Sequence, residues 1–195
     1  MAVLPGGVES EDVNSSGIVT GIANGVGAAI WVLNFDQDDL LIGASDPIPL
    51  PGLGGPIADI HQITDGGRIA GTAFTATGDQ HAIAWTVDDN GNLLDLADLG
   101  ILNGYETSGT SAVNDLGETI GNAYRDQRKG KNTIGRESAP FYINDSGMAD
   151  LNGLVVDFGG LRNLELALDV NQLGWICGQA VSRRDIHGFV AIPVP

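Results

Sequence analysis

The sequence has little cysteine and little positive charge, and each shortage excludes a class of protein. Cys177 is the single cysteine, so the chain cannot form an internal disulfide, and cysteine usage does not reveal a redox compartment. Nine Lys and Arg stand against 25 Asp and Glu, which gives a net charge of −16. That balance is the opposite of the basic surface that a nucleic-acid-binding protein needs, and it argues against adsorption to anionic lipid.

Long apolar runs are also missing. None approaches the roughly 18 residues that cross a bilayer, so we expect no membrane insertion. The first residues do not resemble a signal peptide, so we expect an exported protein to carry its targeting segment outside this sequence. Apolar residues still make up 43 % of the 195 residues, which argues against disorder and is enough to bury one core.

Glycine is abundant, and its spacing reveals an internal repeat. Glycines 17, 67, 117 and 174 occupy the same place in four similar segments, at spacings of 50, 50 and 57 residues. An apolar or aromatic block follows each segment, and a short glycine-containing block that begins with Leu or Phe precedes it. The chain therefore divides into four repeat units, over residues 5–52, 53–99, 100–157 and 158–195, within a single domain that covers 1–195.

Each unit is predicted to form four short antiparallel strands. The segment before strand two starts with Asn or Thr and ends with Gly. This pattern is typical of a hairpin turn. No stretch has sustained helical periodicity. Four-stranded units at this spacing are typical of propeller blades, so the sequence predicts an all-β fold, a four-bladed β-propeller with four antiparallel strands per blade.

The two ends of the chain predict how the ring closes. The fourth unit stops after its third strand, near Ile192, and residues 2–4 form an isolated apolar stretch where other units have their fourth strand. We therefore expect the N-terminal strand, residues 2–4, to complete the last blade, because a closed ring has no open sheet edge. An open array, or half of a larger propeller, is the alternative.

With the repeat aligned, the sequence resembles the extracellular HAF-repeat family. The motif of that name is matched by His81-Ala82-Ile83-Ala84-Trp85 and by His187-Gly188-Phe189-Val190-Ala191. Gly27 and Ser138 replace the histidine in the other two units, so it is not a uniform ligand. The final Val194-Pro195 is similar to the start of the PEP-CTERM-type sorting tail that follows such repeats in bacterial proteins. The resemblance implies this fold and an extracellular or cell-surface location, and it implies no single activity.

The loop between strands two and three differs most between units. The separation from the unit glycine to strand three is 7, 11, 18 and 10 residues, and variable loops on a rigid scaffold are where binding sites usually lie. The longest loop and its counterpart in unit four predict a basic patch for an anion, an acidic polysaccharide or a partner protein. The alternative is a mobile, solvated loop. The patch would consist of Arg125, Arg128, Lys129, Lys131, Arg136, Arg183 and Arg184.

Carboxylates on strand one and its approach are predicted to face the axis of the ring. They have three interpretations: oxygen ligands for Ca²⁺, an acid and base for glycosidic cleavage, or solubilising surface charge. The candidates for catalysis are Glu9, Glu11, Asp59, Glu106 and Glu165, and those for metal are Asp12 and Asp169.

The sequence leaves two hypotheses about function. The first is a secreted or cell-surface binding or structural module for a glycan or a protein, because no compact catalytic motif is present. The second is a glycoside hydrolase, or another hydrolase of extracellular polysaccharide, that uses the axial carboxylates. Ca²⁺ is the one cofactor under consideration, and the oligomeric state stays open.

Overall fold

The computed structural model describes residues 1–144, 146–183 and 185–194, and only the backbone of Ala58. All strand pairs within its four sheets are antiparallel. The first sheet contains β1 (Gly7–Val13), β2 (Ile18–Ala23), β3 (Gly27–Phe35), β4 (Leu41–Ala44) and β5 (Ile48–Pro49). The second contains β6 (Gly54–Ile63), β7 (Arg68–Thr75), β8 (Gln80–Val87) and β9 (Leu93–Gly100). The third contains β10 (Thr107–Val113), β11 (Thr119–Lys129), β12 (Asn132–Asn144) and β13 (Gly147–Asp150), and the fourth contains β14 (Asn163–Val170), β15 (Ile176–Val181) and β16 (Ile186–Ala191).

The all-β prediction is confirmed. The described residues contain one short 3-10 turn, Leu151–Gly153, and no α-helix, and no helix there is long and apolar enough to span a membrane. Units one to three each supply four strands, with strand four of the first unit split into β4 and β5. The fourth unit supplies three described strands, as expected from its early end, and residues 2–4 do not add a fourth to this sheet.

The predicted turn between strands one and two recurs in all four units. In the first, the backbone N–H of Asn14 donates to Ile18 and its side-chain Oδ1 accepts the N–H of Ile18 in return. Gly17 closes the turn at a φ of 78°, which a residue with a Cβ rarely adopts. Because a short polar side chain and a glycine satisfy this geometry locally, the motif could be recognised from sequence.

A second repeated glycine allows strand one to bulge towards strand two. A Cβ on Gly21 or Gly121 would lie on the carbonyl of Glu9 or Gly109, well inside van der Waals contact. The register of strands one and two shifts next to this contact in the first and third sheets. The glycine therefore fixes the bulge, and with it the direction of strand one.

Apolar residues join each sheet to the next in chain order. Every substantial contact between described strands of different sheets joins neighbours, and strand one of the later sheet (β6, β10 or β14) lies in the interface. Ile30, Ile60 and Trp85 are fully buried between the first and second sheets, and Phe141 and Ala167 lie in the next two interfaces. Three of the four clusters of buried apolar residues combine neighbouring sheets, so the interfaces hold most of the described core. Burying one such large side chain contributes about 1.5–3 kcal/mol.

The turns also bridge neighbouring sheets with hydrogen bonds. The side-chain amide of Asn14 donates to the carbonyl of Thr64 at 3.2 Å, and that of Asn114 donates to the carbonyl of Asn171 at 3.0 Å. These four residues hold the same position in the four units. The asparagine that starts the turn therefore stabilises the hairpin and also bonds it to the next unit.

The expectation of a strand at residues 2–4 that completes the last blade is wrong for this structure. Residues 1–4 have no strand assignment, and Leu4 packs on the first sheet beside Trp31. The indole N–H of Trp31 donates to the carbonyl of Pro5 at 3.0 Å, which holds the N-terminal segment against its own unit. No described strand pairs with the free edge of β16.

Candidate functional site

The longest loop of the sequence is an extended β-hairpin. Strands β11 and β12 continue their pairing beyond the body of the third sheet, from Arg125 opposite Glu137 to Lys129 opposite Asn132. Gly130 turns the tip at a φ of 65°. The insert is therefore a paired hairpin rather than an irregular loop, and its residues 126–136 are exposed to solvent, as the alternative of a solvated loop expects.

Arg125 at the base of the hairpin is held by its own structure. Its guanidinium donates two hydrogen bonds to the carboxylate of Glu137, at 3.0 and 2.8 Å, and lies 4.9 Å from the ring centre of Tyr105. The hydrogen bond from Arg125 lowers the pKa of Glu137, and the same contact raises the pKa of Arg125. Arg125 therefore positions Glu137 and is not a free anion-binding group.

Two further arginines of the predicted basic patch also have partners in or beside the hairpin. Arg128 lies 3.5 Å from the carboxylate of Glu106 and 3.7 Å from that of Asp126. Arg136 stacks over the ring of Tyr124 at 4.2 Å. Arg128 therefore has carboxylates beside it, whereas Arg136 packs on an aromatic ring and keeps its positive charge.

The two lysines differ from the arginines. Lys129 and Lys131 are exposed at the tip, and no ion pair to them is found among the described residues. Arg183 is exposed between β15 and β16, with no hydrogen bond or ion pair to the described part of the hairpin. Arg184 lies outside the described residues.

A polar pocket of about 310 Å³ lies between the base of this hairpin and the fourth sheet. Of the residues predicted as site residues, it brings together Arg136 and Glu165. The remaining lining residues were not singled out from the sequence, because they meet only once β12, β13 and β14 pack. The lining comprises Tyr105, Gln127, Arg136, Glu137, Ser138, Ala139, Asp150, Asn152, Asn163 and Glu165.

The pocket wall is fixed by hydrogen bonds. Asn152 accepts the backbone N–H of Leu164 at 2.8 Å and donates to its carbonyl at 3.1 Å, which ties the 3-10 turn to β14. Asp150 accepts the backbone N–H of Asn152 at 2.9 Å. Partial burial, and then the charges of Glu137 and Asp150, raise the pKa of the Tyr105 hydroxyl. Tyr105 therefore stays a neutral hydrogen-bonding group on the wall at physiological pH.

The candidate metal ligands bond to the backbone. Asp12 accepts the N–H of Val13 at 2.8 Å through one oxygen and that of Ile63 at 3.0 Å through the other. Asp169 accepts the N–H of Val170 at 2.8 Å. Asp12 and Asp169 lie in the first and fourth sheets, and no group of three His, Cys, Asp or Glu side chains suited to a metal occurs in the described ranges.

The candidate catalytic carboxylates are not brought together either. Glu165 lines the pocket, whereas Glu106 pairs with Arg128 and accepts the backbone N–H of Asp126 at 3.1 Å. Asp59 accepts the N–H of Ile60 on the second sheet, and Glu9 and Glu11 are exposed on β1. The five residues thus belong to four different sheets or their approaches.

Comparisons with protein-family models, with curated proteins and with solved structures found no match to this chain.

Proposed function

We propose that this chain is a secreted or cell-surface module of the β-propeller type that binds a glycan or a protein partner, with a glycan as the ligand of the polar pocket. The observation that carries the proposal is the pocket at the base of the β11–β12 hairpin, where amide, carboxylate and hydroxyl groups line one concave wall. The HAF-repeat resemblance supports the location, because proteins of that family are extracellular.

The repeated sheets support a propeller architecture of four blades. Each repeat unit supplies one antiparallel sheet, and strand one of each later sheet lies in the interface with its neighbour. Closure of the ring within one chain has no support from residues 2–4, which pack on the first sheet.

The chemistry of the pocket favours a sugar. Sugar hydroxyls need both donors and acceptors, and Gln127, Asn163 and Ser138 offer them. Three carboxylates and one arginine line the wall, so a neutral sugar or an amino sugar suits it better than an acidic one. A volume of about 310 Å³ is at the lower end for small-molecule sites, which fits a short segment of glycan.

The same geometry favours binding over hydrolysis. A glycosidase needs an acid with a raised pKa, whereas Arg125 lowers the pKa of Glu137. Asp150 is engaged as the cap of the 3-10 turn. Glu165 is the remaining carboxylate of the pocket, so a hydrolase would have to use Glu165 as the acid and release Glu137 from Arg125 to act as the nucleophile or base.

A glycan array followed by calorimetry tests the proposal. We expect the wild type to bind a neutral or amino-sugar glycan, and Asn163→Ala and Glu165→Gln to weaken binding at least about tenfold, since the first removes an amide and the second replaces a charged acceptor oxygen by an N–H donor. Asp95→Asn, on exposed β9, is the matched control and should bind as the wild type does. Equal binding by all variants would exclude the pocket. If the wild type releases reducing ends from a polysaccharide and Glu165→Gln does not, the hydrolase hypothesis would be favoured instead.

A further inference from the structure

The repeated interface between sheets leaves one surface uncovered at the start of the chain. Val13 is 54 % exposed, whereas Ile63, Val113 and Val170 at the same position of the later units are 4 %, 2 % and 4 % exposed. Those three residues are covered by the sheet that precedes them. We call the exposed surface of β1 around Ser10 and Val13 the front face.

A complementary surface is uncovered on the fourth sheet. Val190 is 63 % exposed, whereas Ile30, which has the same register in the first sheet, is fully buried. Cys177 is exposed, whereas its counterpart Thr20 is fully buried against the second sheet. We call the surface of Cys177, Gln179 and Val190 the back face.

The polar groups of the two faces also match. Between the third and fourth sheets, the side chain of Asn122 donates to the carbonyl of Ala167 and accepts its N–H, both at 2.9 Å. Gln179 is the counterpart of Asn122 on the back face, and Ser10 is the counterpart of Ala167 on the front face. The amide of Gln179 makes no hydrogen bond in the described part of the chain.

In the described part of the chain, the fourth sheet also has no strand beyond β16. An apolar groove of about 410 Å³ lies beside the free edge of β16, with Val156, Val190 and Ile192 in its wall. In the first sheet the matching edge is covered by β5, and the N–H of Leu50, just before Pro51, donates to Ala28 at 3.1 Å.

Residues 2–4 are the counterpart of that covering strand. Pro51 and Pro5 are equivalent, because each accepts the indole N–H of the tryptophan of its own unit, Trp85 or Trp31. The residues before Pro5 therefore correspond to Ile48–Pro49 and Leu50, and they carry the apolar Val3 and Leu4.

We propose that two copies of this chain associate head to tail, with the front face and residues 2–4 of one copy covering the back face and the β16 edge of the other. Such a contact continues the three interfaces inside the chain with a fourth of the same kind. The described strands of the first and fourth sheets make no substantial contact, so contact within a single copy would require the three interfaces between sheets to change, whereas a second copy leaves them unchanged. A heterologous contact of this kind closes into a ring or propagates.

The mass of the protein in solution tests the association, by light scattering or sedimentation at about 0.15 M salt, where charge repulsion between acidic copies is screened. We expect at least two copies for the wild type and one for Val13→Asp and Val190→Asp. Both substitutions lie at exposed positions of the single copy, so they should leave the fold intact. Ile42→Asp, at a residue 66 % exposed on β4, is the matched control and should keep the wild-type mass.

Mixing the two single-copy variants gives a sharper test. Each retains one intact face, so Val13→Asp and Val190→Asp should form a mixed pair through one contact. If instead each face paired with the same face of another copy, mixing the two variants would not restore the association in this way. A wild type that is a single copy at all concentrations, or a mixture that stays single, would overturn the proposal.

A disulfide identifies which chains meet. Glu11 is the counterpart of His61, whose carbonyl accepts the Thr20 hydroxyl at 3.0 Å, so Glu11→Cys should lie beside Cys177 of the other copy. Mild oxidation should give cross-linked pairs, and Asp95→Cys should give none. A cross-link inside one chain would overturn the head-to-tail pair and support a ring closed by one copy. Glycan binding by the single-copy variants is read separately, so failure of the association does not decide the proposed function.

Discussion

The carboxylate of Glu137 receives two hydrogen bonds from the guanidinium of Arg125, at 3.0 and 2.8 Å, across the β11–β12 hairpin. The two residues are opposite each other in the register, so the ion pair spans the base of the insert that carries the pocket. Both side chains are more than a third exposed, so the pair orders the hairpin and adds only modestly to overall stability.

Acid should remove this contribution. Because Arg125 lowers the pKa of Glu137, the stabilisation is present above the ordinary glutamate pKa and is lost as the pH falls through the lower value of the folded state. We expect Glu137→Gln to be less stable than the wild type at neutral pH and the difference to shrink below about pH 4.5. Urea unfolding against pH measures this, and Arg125→Met should abolish the difference. Parallel pH profiles for wild type and Glu137→Gln would contradict the assignment.

The repeat glycine of strand two should not tolerate a side chain. A Cβ on Gly121 would meet the carbonyl of Gly109 and the ring of Phe141, so backbone would have to move. We expect Gly121→Ala to destabilise the protein by about 2–4 kcal/mol in urea unfolding. Gly43→Ala, where no atom lies within 4 Å of the new carbon, is the control and should change stability by less than about 0.5 kcal/mol. Equal losses of stability in the two variants would show that the close approach of the Gly109 carbonyl is not the reason why glycine is needed at position 121.

Local chemistry explains what the sequence predicted well. Asn14, Gly17 and Gly21 act on their own turn and strand pair, and the same pattern occurs in every unit, so four antiparallel sheets could be predicted without knowledge of packing. The lengths of the connections also indicated which unit has the long insert.

The site depends on contacts that sequence does not show. Glu137, Asp150 and Asn163 lie on three different strands, and no spacing rule links them to one pocket. The basic patch was overestimated because charge was counted without the partners that Arg125 and Arg128 find nearby. An apolar stretch at residues 2–4 suits both its own unit and a neighbouring one, so sequence could not choose between them.

Asp12 should act through the backbone rather than through a cation. Its two oxygens accept the N–H groups of Val13 and Ile63, so Asp12→Ala leaves both without an acceptor. We expect a loss of about 1–2 kcal/mol that is the same in Ca²⁺ and in EDTA. The neighbouring exposed Glu11→Ala is the control and should stay within about 0.5 kcal/mol of the wild type. A loss that appears only when Ca²⁺ is present would restore the metal interpretation.

Asn122 should be the polar residue on which the third interface depends most. It is 7 % exposed, and its amide makes both hydrogen bonds to the backbone of Ala167 and a third to Ser111. Asn122→Ala leaves a buried N–H and carbonyl unpaired, so we expect a loss of about 2–4 kcal/mol and faster amide exchange in β14. Gln179→Ala replaces the same position on the uncovered face and should be neutral at concentrations where the chain is single. If both substitutions lower the free energy of unfolding by the same amount, then burial between sheets is not what makes the Asn122 side chain stabilising.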